Sequence, residues 1–272
     1  MKTIEIREFH TPSSGIFFRA GRRLLSERTP FQKIEVYETD SYGRVLFLDG
    51  LVQTTEKDEF FYHEMLVHPA MMAHPRPENV LIIGGGDGGA LREVLRYPVK
   101  SAVLVEIDGR VIEVCRRWFP GLAKSFEDPR AEITVEDGNR YIRETGRRFD
   151  VIAVDSSDPV GPSAILHQRS FFAALKRCLR PGGLIVAQAG SPLFHLDPLR
   201  KKRRFLKQLF KRALYYYGPA PTYPGGLWGY AFLSDGLDPL QTRRRRPPKK
   251  LKYYNIDVHR AAFAAPEFLK ER

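Results

Sequence analysis

Cysteine is nearly absent: the 272 residues contain two, Cys115 and Cys178. That is too few for a disulfide framework or a thiolate zinc site, and both read as reduced thiols of a cytoplasmic protein. Long apolar runs are missing too, since no uninterrupted stretch approaches the ~20 residues of a membrane helix. The opening MKTIEIREFH alternates charged and apolar residues and lacks the apolar core of a signal peptide. No repeat of solenoid period occurs. The hydrophobic share of 43% is that of an ordinary globular chain, which excludes wholesale disorder. The length suits one α/β domain with a small companion.

Acid is in short supply: 44 Lys and Arg face 32 Asp and Glu, a net charge of +12. Taken whole, this suggests a nucleic acid or an anionic surface as partner. The excess is local, however. Residues 200–212 (RKKRRFLKQLFKR) hold eight basic residues and 243–250 (RRRRPPKK) hold six, with no acid in either. Without those fourteen, 30 basic residues face 32 acidic ones, a body of net −2. Phe205, Leu206, Leu209 and Phe210 recur at helical spacing, so the first run reads as an amphipathic helix with a basic outer face. Pro247 and Pro248 make the second a solvated loop.

Period-2 alternation in Thr3–Glu8 and Gln32–Glu38, and a hairpin signal at Asp49-Gly50 between Arg44–Leu48 and Leu51–Thr54, predict a small antiparallel β-domain over 1–55. KDEFFYHEMLVHPAMM then reads as a helix. From residue 79 the rhythm changes to buried strands alternating with helices. NVLIIG, SAVLVE, AEITVE, FDVIAVD and LIVAQAG are the strands; Leu91–Arg96, Val111–Phe119 and Phe171–Leu179 are helices, and PGG before the last strand is a turn. This alternation predicts a doubly wound α/β sheet over 56–272.

In such sheets ligands sit at the carboxyl ends of the strands. Those ends carry Asp87, Glu106, Asp137, Asp155 and Asp158. Acids there also cap the helices that follow. Five together are costly unless a cation or hydrogen-bond donors occupy the cluster. GGGDGG (84–89) satisfies the dinucleotide pattern, with Glu106 placed to accept ribose hydroxyls and Asp137-Gly138 to meet the base. Asp87 inside that loop would repel a pyrophosphate, whereas a cationic tail would suit it. A nucleoside sulfonium such as S-adenosylmethionine therefore fits better than NAD. For an alkylamine nucleophile, deprotonation at pH 7 costs about 4.6 kcal/mol, and a carboxylate base in a desolvating pocket lowers that barrier. Asp155 and Asp158, three residues apart, fit such a role.

The motifs GGGDGG, VEID, VEDG, DSSDPVGP, PTYPGG (221–226), YYNIDVHRAAFAAP (253–266) and LDGLVQTTEKDEFFYHEM (48–65) together resemble the spermidine synthase family of aminopropyltransferases. The resemblance runs in family order from about residue 3 to the carboxyl terminus. It implies a methyltransferase-like Rossmann fold behind the β-domain. It also implies transfer of an aminopropyl group from decarboxylated S-adenosylmethionine to putrescine, giving spermidine and methylthioadenosine. The family's nucleoside-binding positions fall on Gln32, Asp87, Glu106, Asp137 and Gly138, with Pro162 beside them. Its amine-site positions fall on Tyr62, His63, Asp155, Asp158, Gln188 and Tyr223, and its proton acceptor on Asp155. Trp228, just after Gly225-Gly226, lines the same pocket in this reading. No metal or permanently bound cofactor is implied, and a homodimer or homotetramer is.

Decarboxylation leaves the donor a purely cationic tail, so Asp87 would attract it and disfavour ordinary S-adenosylmethionine. Segment 163–168 (SAILHQ) departs from the family's usual lid sequence, with Ala164, Ile165 and His167 in less usual places, and the two basic runs are outside the family pattern. Agmatine, cadaverine or spermidine as acceptor, N-methylation of putrescine, and polyanion binding through the basic runs are the competing readings. Glu59 and Glu64 suit either a solvated helix face or an added negative potential.

Overall fold

Residues 3–157, 161–242 and 246–270 are described by a computed structural model. Six strands come first: β1 (Ile4–Thr11), β2 (Ser14–Ala20), β3 (Arg22–Arg28), β4 (Lys33–Thr39), β5 (Gly43–Leu48) and β6 (Leu51–Thr55). They form two sheets, a β1–β2 hairpin and a sheet of order β3-β4-β5-β6. The hairpin signal holds: Asp49 and Gly50 both take positive φ, and Leu48 pairs with Leu51 across the turn. The alternation had not marked β2 and β3, whose exposed faces carry Phe17 and a series of arginines.

Helix α1 (Glu59–Ala73) follows, then β7 (Asn79–Gly84), α2 (Gly89–Leu95), β8 (Ser101–Glu106), α3 (Gly109–Trp118), α4 (Pro120–Ala123), β9 (Ala131–Val135), α5 (Gly138–Glu144) and β10 (Phe149–Asp155). The chain ends through α6 (Arg169–Arg177), β11 (Leu179–Gly190), α7 (Leu196–Leu209), β12 (Arg212–Pro219), β13 (Leu227–Ser234) and α8 (Ile256–Ala262). The central sheet has the order β12-β13-β11-β10-β7-β8-β9. β7 to β11 are parallel, and β12 and β13 are added antiparallel. The chain moves outward from β7 through β8 to β9, then returns to place β10 on the other side of β7. That reversal opens the crevice at the ends of β7 and β10.

Apolar side chains fill both faces of this sheet, one core built with α1 and α2 and the other with α6 and α7. The expected doubly wound arrangement holds, with two differences in detail. The PGG predicted as a turn lies inside β11, where the register against β10 shifts between Phe149 and Val151, so a bulge replaces the break. The basic run 200–212 ends as the start of β12, because Phe210 and Ala213 bury their side chains on the sheet.

Helix α1 is buried nearly all round, so neither of its acids lies on a solvated face. Glu64 is 1% exposed and accepts three backbone amides, from Lys252 (2.8 Å), Tyr253 (2.9 Å) and Tyr254 (2.7 Å). It thereby ties the carboxyl-terminal segment to α1. Arg243, Arg244 and Arg245 of the second basic run lie outside the described residues. α7 covers one face of the sheet, whereas Arg96, just after α2 on the other face, donates to the Lys249 carbonyl at 3.2 Å.

Candidate active site

Gly84 and Gly89 let three elements meet at this crevice. A Cβ on Gly84, at φ +82°, would lie 2.1 Å from the Asp155 carbonyl oxygen, so β7 could not turn beside β10 with any other residue. A Cβ on Gly89 would strike the His63 ring at 2.2 Å. The resulting cavity has a volume of about 360 Å³ and is bordered by the glycine loop, the ends of β8 and β10, α1, and the β-domain.

At one end, Glu106 closes β8. Its oxygens accept the amides of Gly86 (3.2 Å) and Asp108 (3.0 Å). Burial nevertheless pushes its carboxyl up to about 7, with the Asp108 charge adding to the rise and the backbone donors opposing it. Asp108 caps α3 through the Arg110 amide and receives Gln32 Nε2 at 3.0 Å and Thr29 Oγ1 at 2.8 Å. Gln32 is thus held at the cavity by the residue that caps α3. Asp137 and Gly138 also border the cavity, and Asp137 caps α5 by accepting from Asn139 (2.7 Å) and Arg140 (3.1 Å). The capping role and a site position coexist there.

At the other end, Tyr62 Oη donates to Asp155 Oδ1 at 2.6 Å. Burial pushes Asp155 up to about 6, against the lowering effect of the His63 charge and the Tyr62 hydroxyl. His63 lies between Glu59 (Nδ1 to Oε2, 2.7 Å) and Asp87 (Nε2 to Oδ2, 3.3 Å). Burial alone would depress its pKa, but the Asp87 and Glu59 carboxylates outweigh that and raise it well above 6.5. Glu59 is in turn gripped by Arg92, whose two terminal nitrogens each lie 2.9 Å from one of its oxygens. Despite burial, His63 and Arg92 hold Glu59 down at about 2.

Gln188 is 2% exposed and donates to the carbonyls of Ser156 (2.9 Å) and Ser157 (3.4 Å). Among the described residues its Oε1 has no donor, which leaves a buried acceptor on the cavity wall. Tyr223 donates to the Gln53 carbonyl at 2.5 Å and stacks edge-on with Trp228 at 4.8 Å between centroids. Both rings border the cavity.

The structure therefore gathers Gln32, Tyr62, His63, Asp87, Glu106, Asp137, Gly138, Asp155, Gln188, Tyr223 and Trp228 around one space. Asp158 and the Pro162 side chain lie outside the described residues. Sequence reasoning passed over Asp108, although it closes the quoted VEID, and the support of His63 by Glu59 and Arg92. Only the four-residue spacing of Glu59 and His63 hinted at that second contact. The resemblance to the family implies no metal. In space, His63, Asp87 and Asp155 offer ligand-type atoms within 4.8 Å of one another.

The spermine/spermidine synthase domain model matches residues 59–242, and the spermidine synthase tetramerisation domain model matches 5–56. Among curated proteins, a polyamine aminopropyltransferase of Leptospira biflexa is 45% identical over 94% of this chain and 92% of its own. That of Bacillus subtilis is 41% identical over 100% of this chain and 99% of its own. The crystal structure of spermidine synthase from Thermotoga maritima superposes with a TM-score of 0.93 at 41% identity, covering 98% of this chain and 92% of that one. A spermidine synthase bound to the transition-state analogue AdoDATO gives 0.95 at 41% identity, with 98% and 93% covered. With the glycine loop, the acidic strand ends and both domains matched over nearly the whole length, the chain belongs to the spermine/spermidine synthase family.

Proposed function

We propose that this protein transfers the aminopropyl group of decarboxylated S-adenosylmethionine to putrescine, releasing spermidine and methylthioadenosine. The observation that carries the reading is the carboxylate arrangement. Glu106 stands at one end of the cavity and Asp87 and Asp155 at the other, an arrangement that suits a ribose at the first and the amine groups of donor and acceptor at the second. The relatives' shared naming as aminopropyltransferases and the AdoDATO complex of a structural neighbour support it.

In this reading Glu106 accepts the ribose hydroxyls, Gln32 closes the nucleoside end, and Asp137 with Gly138 meets the base beside Pro162. Asp87 pairs with the donor's ammonium. The acceptor amine lies against Tyr62, Tyr223, Trp228 and the Oε1 of Gln188, with Asp158 contributing a second carboxylate. Asp155 takes the proton as the amine nitrogen forms its bond to the propyl carbon and the carbon–sulfur bond breaks, its electron pair remaining on sulfur. Positive charge moves from sulfur to nitrogen, toward the carboxylates already in place. Tyr62 orients Asp155 so that one oxygen is bonded and the other stays available.

We also propose that 1–55 and 56–272 are the two domains and that the chain assembles as a homo-oligomer through the first. The match of 5–56 to a tetramerisation domain supports this, as do Phe9 and Phe17, exposed by 65% and 60% on the β1–β2 hairpin. Among the described residues no helix is long and apolar enough to cross a membrane. Two thiols expected to stay reduced favour the cytoplasm.

The deciding experiment incubates purified protein with decarboxylated or ordinary S-adenosylmethionine and with putrescine, cadaverine, agmatine or spermidine. Spermidine and methylthioadenosine from the decarboxylated donor are expected. Methylated putrescine from the ordinary donor, with no product from the decarboxylated one, would overturn the reading.

A further inference from the structure

On α7 the residues that turn inward are Leu199, Lys202 and Leu206, so one member of the basic run occupies the apolar stripe. A lysine that is 8% exposed is costly unless its ammonium finds partners. Its stem carries Nζ over the Phe172 ring, 5.1 Å from the centroid, toward the floor of the segment after β10. There Nζ lies 3.3 Å from His167 Nδ1 and 3.4 Å from the Gln188 carbonyl oxygen.

An ammonium has only donors, so His167 Nδ1 must accept, and its proton is assigned to Nε2. Nε2 then donates to the Ser157 carbonyl at 3.2 Å, with Ser156 Oγ at 3.4 Å. Burial and the adjacent Lys202 charge hold this imidazole neutral, its pKa lowered to about 3. Gln188 reaches the same two residues from the other side, through the Ser156 and Ser157 carbonyls. Two features outside the family pattern, the histidine of segment 163–168 and the basic run, thus meet directly beneath the residues that follow Asp155.

We propose that Lys202 is a positioning residue for the amine end of the cavity. Acting through His167 and the Gln188 carbonyl, it holds the Asp155–Ser157 segment where the acceptor amine docks. The inference rests on the aminopropyl-transfer reading. It separates Lys202 from the outward-facing Arg200, Lys201 and Arg204 of the same run.

Lys202→Met keeps the stem and removes the cation. Losing a charged hydrogen bond at this point should raise KM for putrescine about tenfold, with kcat and methylthioadenosine affinity within about twofold. His167→Phe, which leaves Lys202 in place and cuts only the relay, should raise KM in the same direction and serves if the first variant does not fold. A folded Lys202→Met protein with unchanged KM would overturn the proposal, as would a parallel loss of methylthioadenosine affinity. If Lys202→Met does not fold, an unchanged KM in His167→Phe does the same. Nitrogen-15 shifts of His167 decide independently of turnover. Wild type should show an unprotonated Nδ1 and a protonated Nε2, and a wild type with the opposite tautomer contradicts the relay. A wild type without transferase activity but with the expected tautomer would count against the transferase reading and leave the Lys202–His167 contact established.

Discussion

Tyr62 Oη donates to Asp155 Oδ1 at 2.6 Å, joining α1 to the end of β10 across the floor of the cavity. The hydroxyl favours the ionised carboxylate, while burial opposes it and raises Asp155 to about 6. As the proposed base, Asp155 acts only when deprotonated, so turnover should fall as pH drops through about 6. Tyr62→Phe removes a lowering influence and should move this acid limb of kcat/KM to higher pH. Asp155→Asn should lower kcat by about 10²- to 10⁴-fold while methylthioadenosine still binds. Pre-steady-state kinetics and calorimetry check the two parts separately, and near-normal turnover in Asp155→Asn would remove it as the base.

In the proposed reaction Asp87 selects for the cationic donor. Asp87→Asn should weaken binding of decarboxylated S-adenosylmethionine by about tenfold or more, the worth of one charged hydrogen bond. Binding of the ordinary, carboxylate-bearing nucleoside should weaken far less. Competitive titration with both ligands measures the ratio, and equal losses would deny Asp87 a part in selection.

The proposed ribose contact makes nucleoside affinity depend on pH. The Glu106 carboxyl is raised to about 7 by burial, and ribose hydroxyls bound there would donate to its ionised form. Methylthioadenosine should therefore bind more tightly as pH rises through 7, by up to about tenfold per unit below that value. Calorimetry between pH 6 and 8 tests this, and Glu106→Gln should flatten the dependence while weakening binding throughout.

Glu59 is depressed to about 2 from an ordinary 4.5, so its contribution to stability is complete above 4.5 and disappears as pH falls toward 2. His63, raised well above 6.5, contributes stability that is complete below 6.5 and is lost as pH rises through its raised value. Removing one member of a buried charge network leaves its partner uncompensated. Glu59→Gln should cost about 3 kcal/mol near neutral pH and weaken the acid dependence below pH 4.5, as read from urea denaturation.

Much of this molecule was legible in the order of its residues. The apolar runs ending in glycine or acid placed β7, β8 and β10, because buried parallel strands need continuous hydrophobic sequence. Asp49-Gly50 marked its hairpin, because few other pairs adopt two consecutive left-handed conformations. The acids at the strand ends marked the site, since strand ends and loops are adjacent in sequence as well as in space. What lay across the chain was not legible. Gly89 and His63, Gln32 and Asp108, and Tyr223 and Gln53 meet only because the sheet order and the docking of the β-domain bring them together.

The net charge of +12 shows the division most plainly. Position in the sequence alone separates two basic runs from a body of net −2 and places carboxylates where a cationic substrate would react. Tertiary structure alone decides that Glu64 and Glu59 face inward, that Lys249 meets Arg96 on the face opposite α7, and that Lys202 turns beneath Asp155–Ser157. Charge along a chain is a local property, whereas its sign at a site depends on which side chains burial forces into contact.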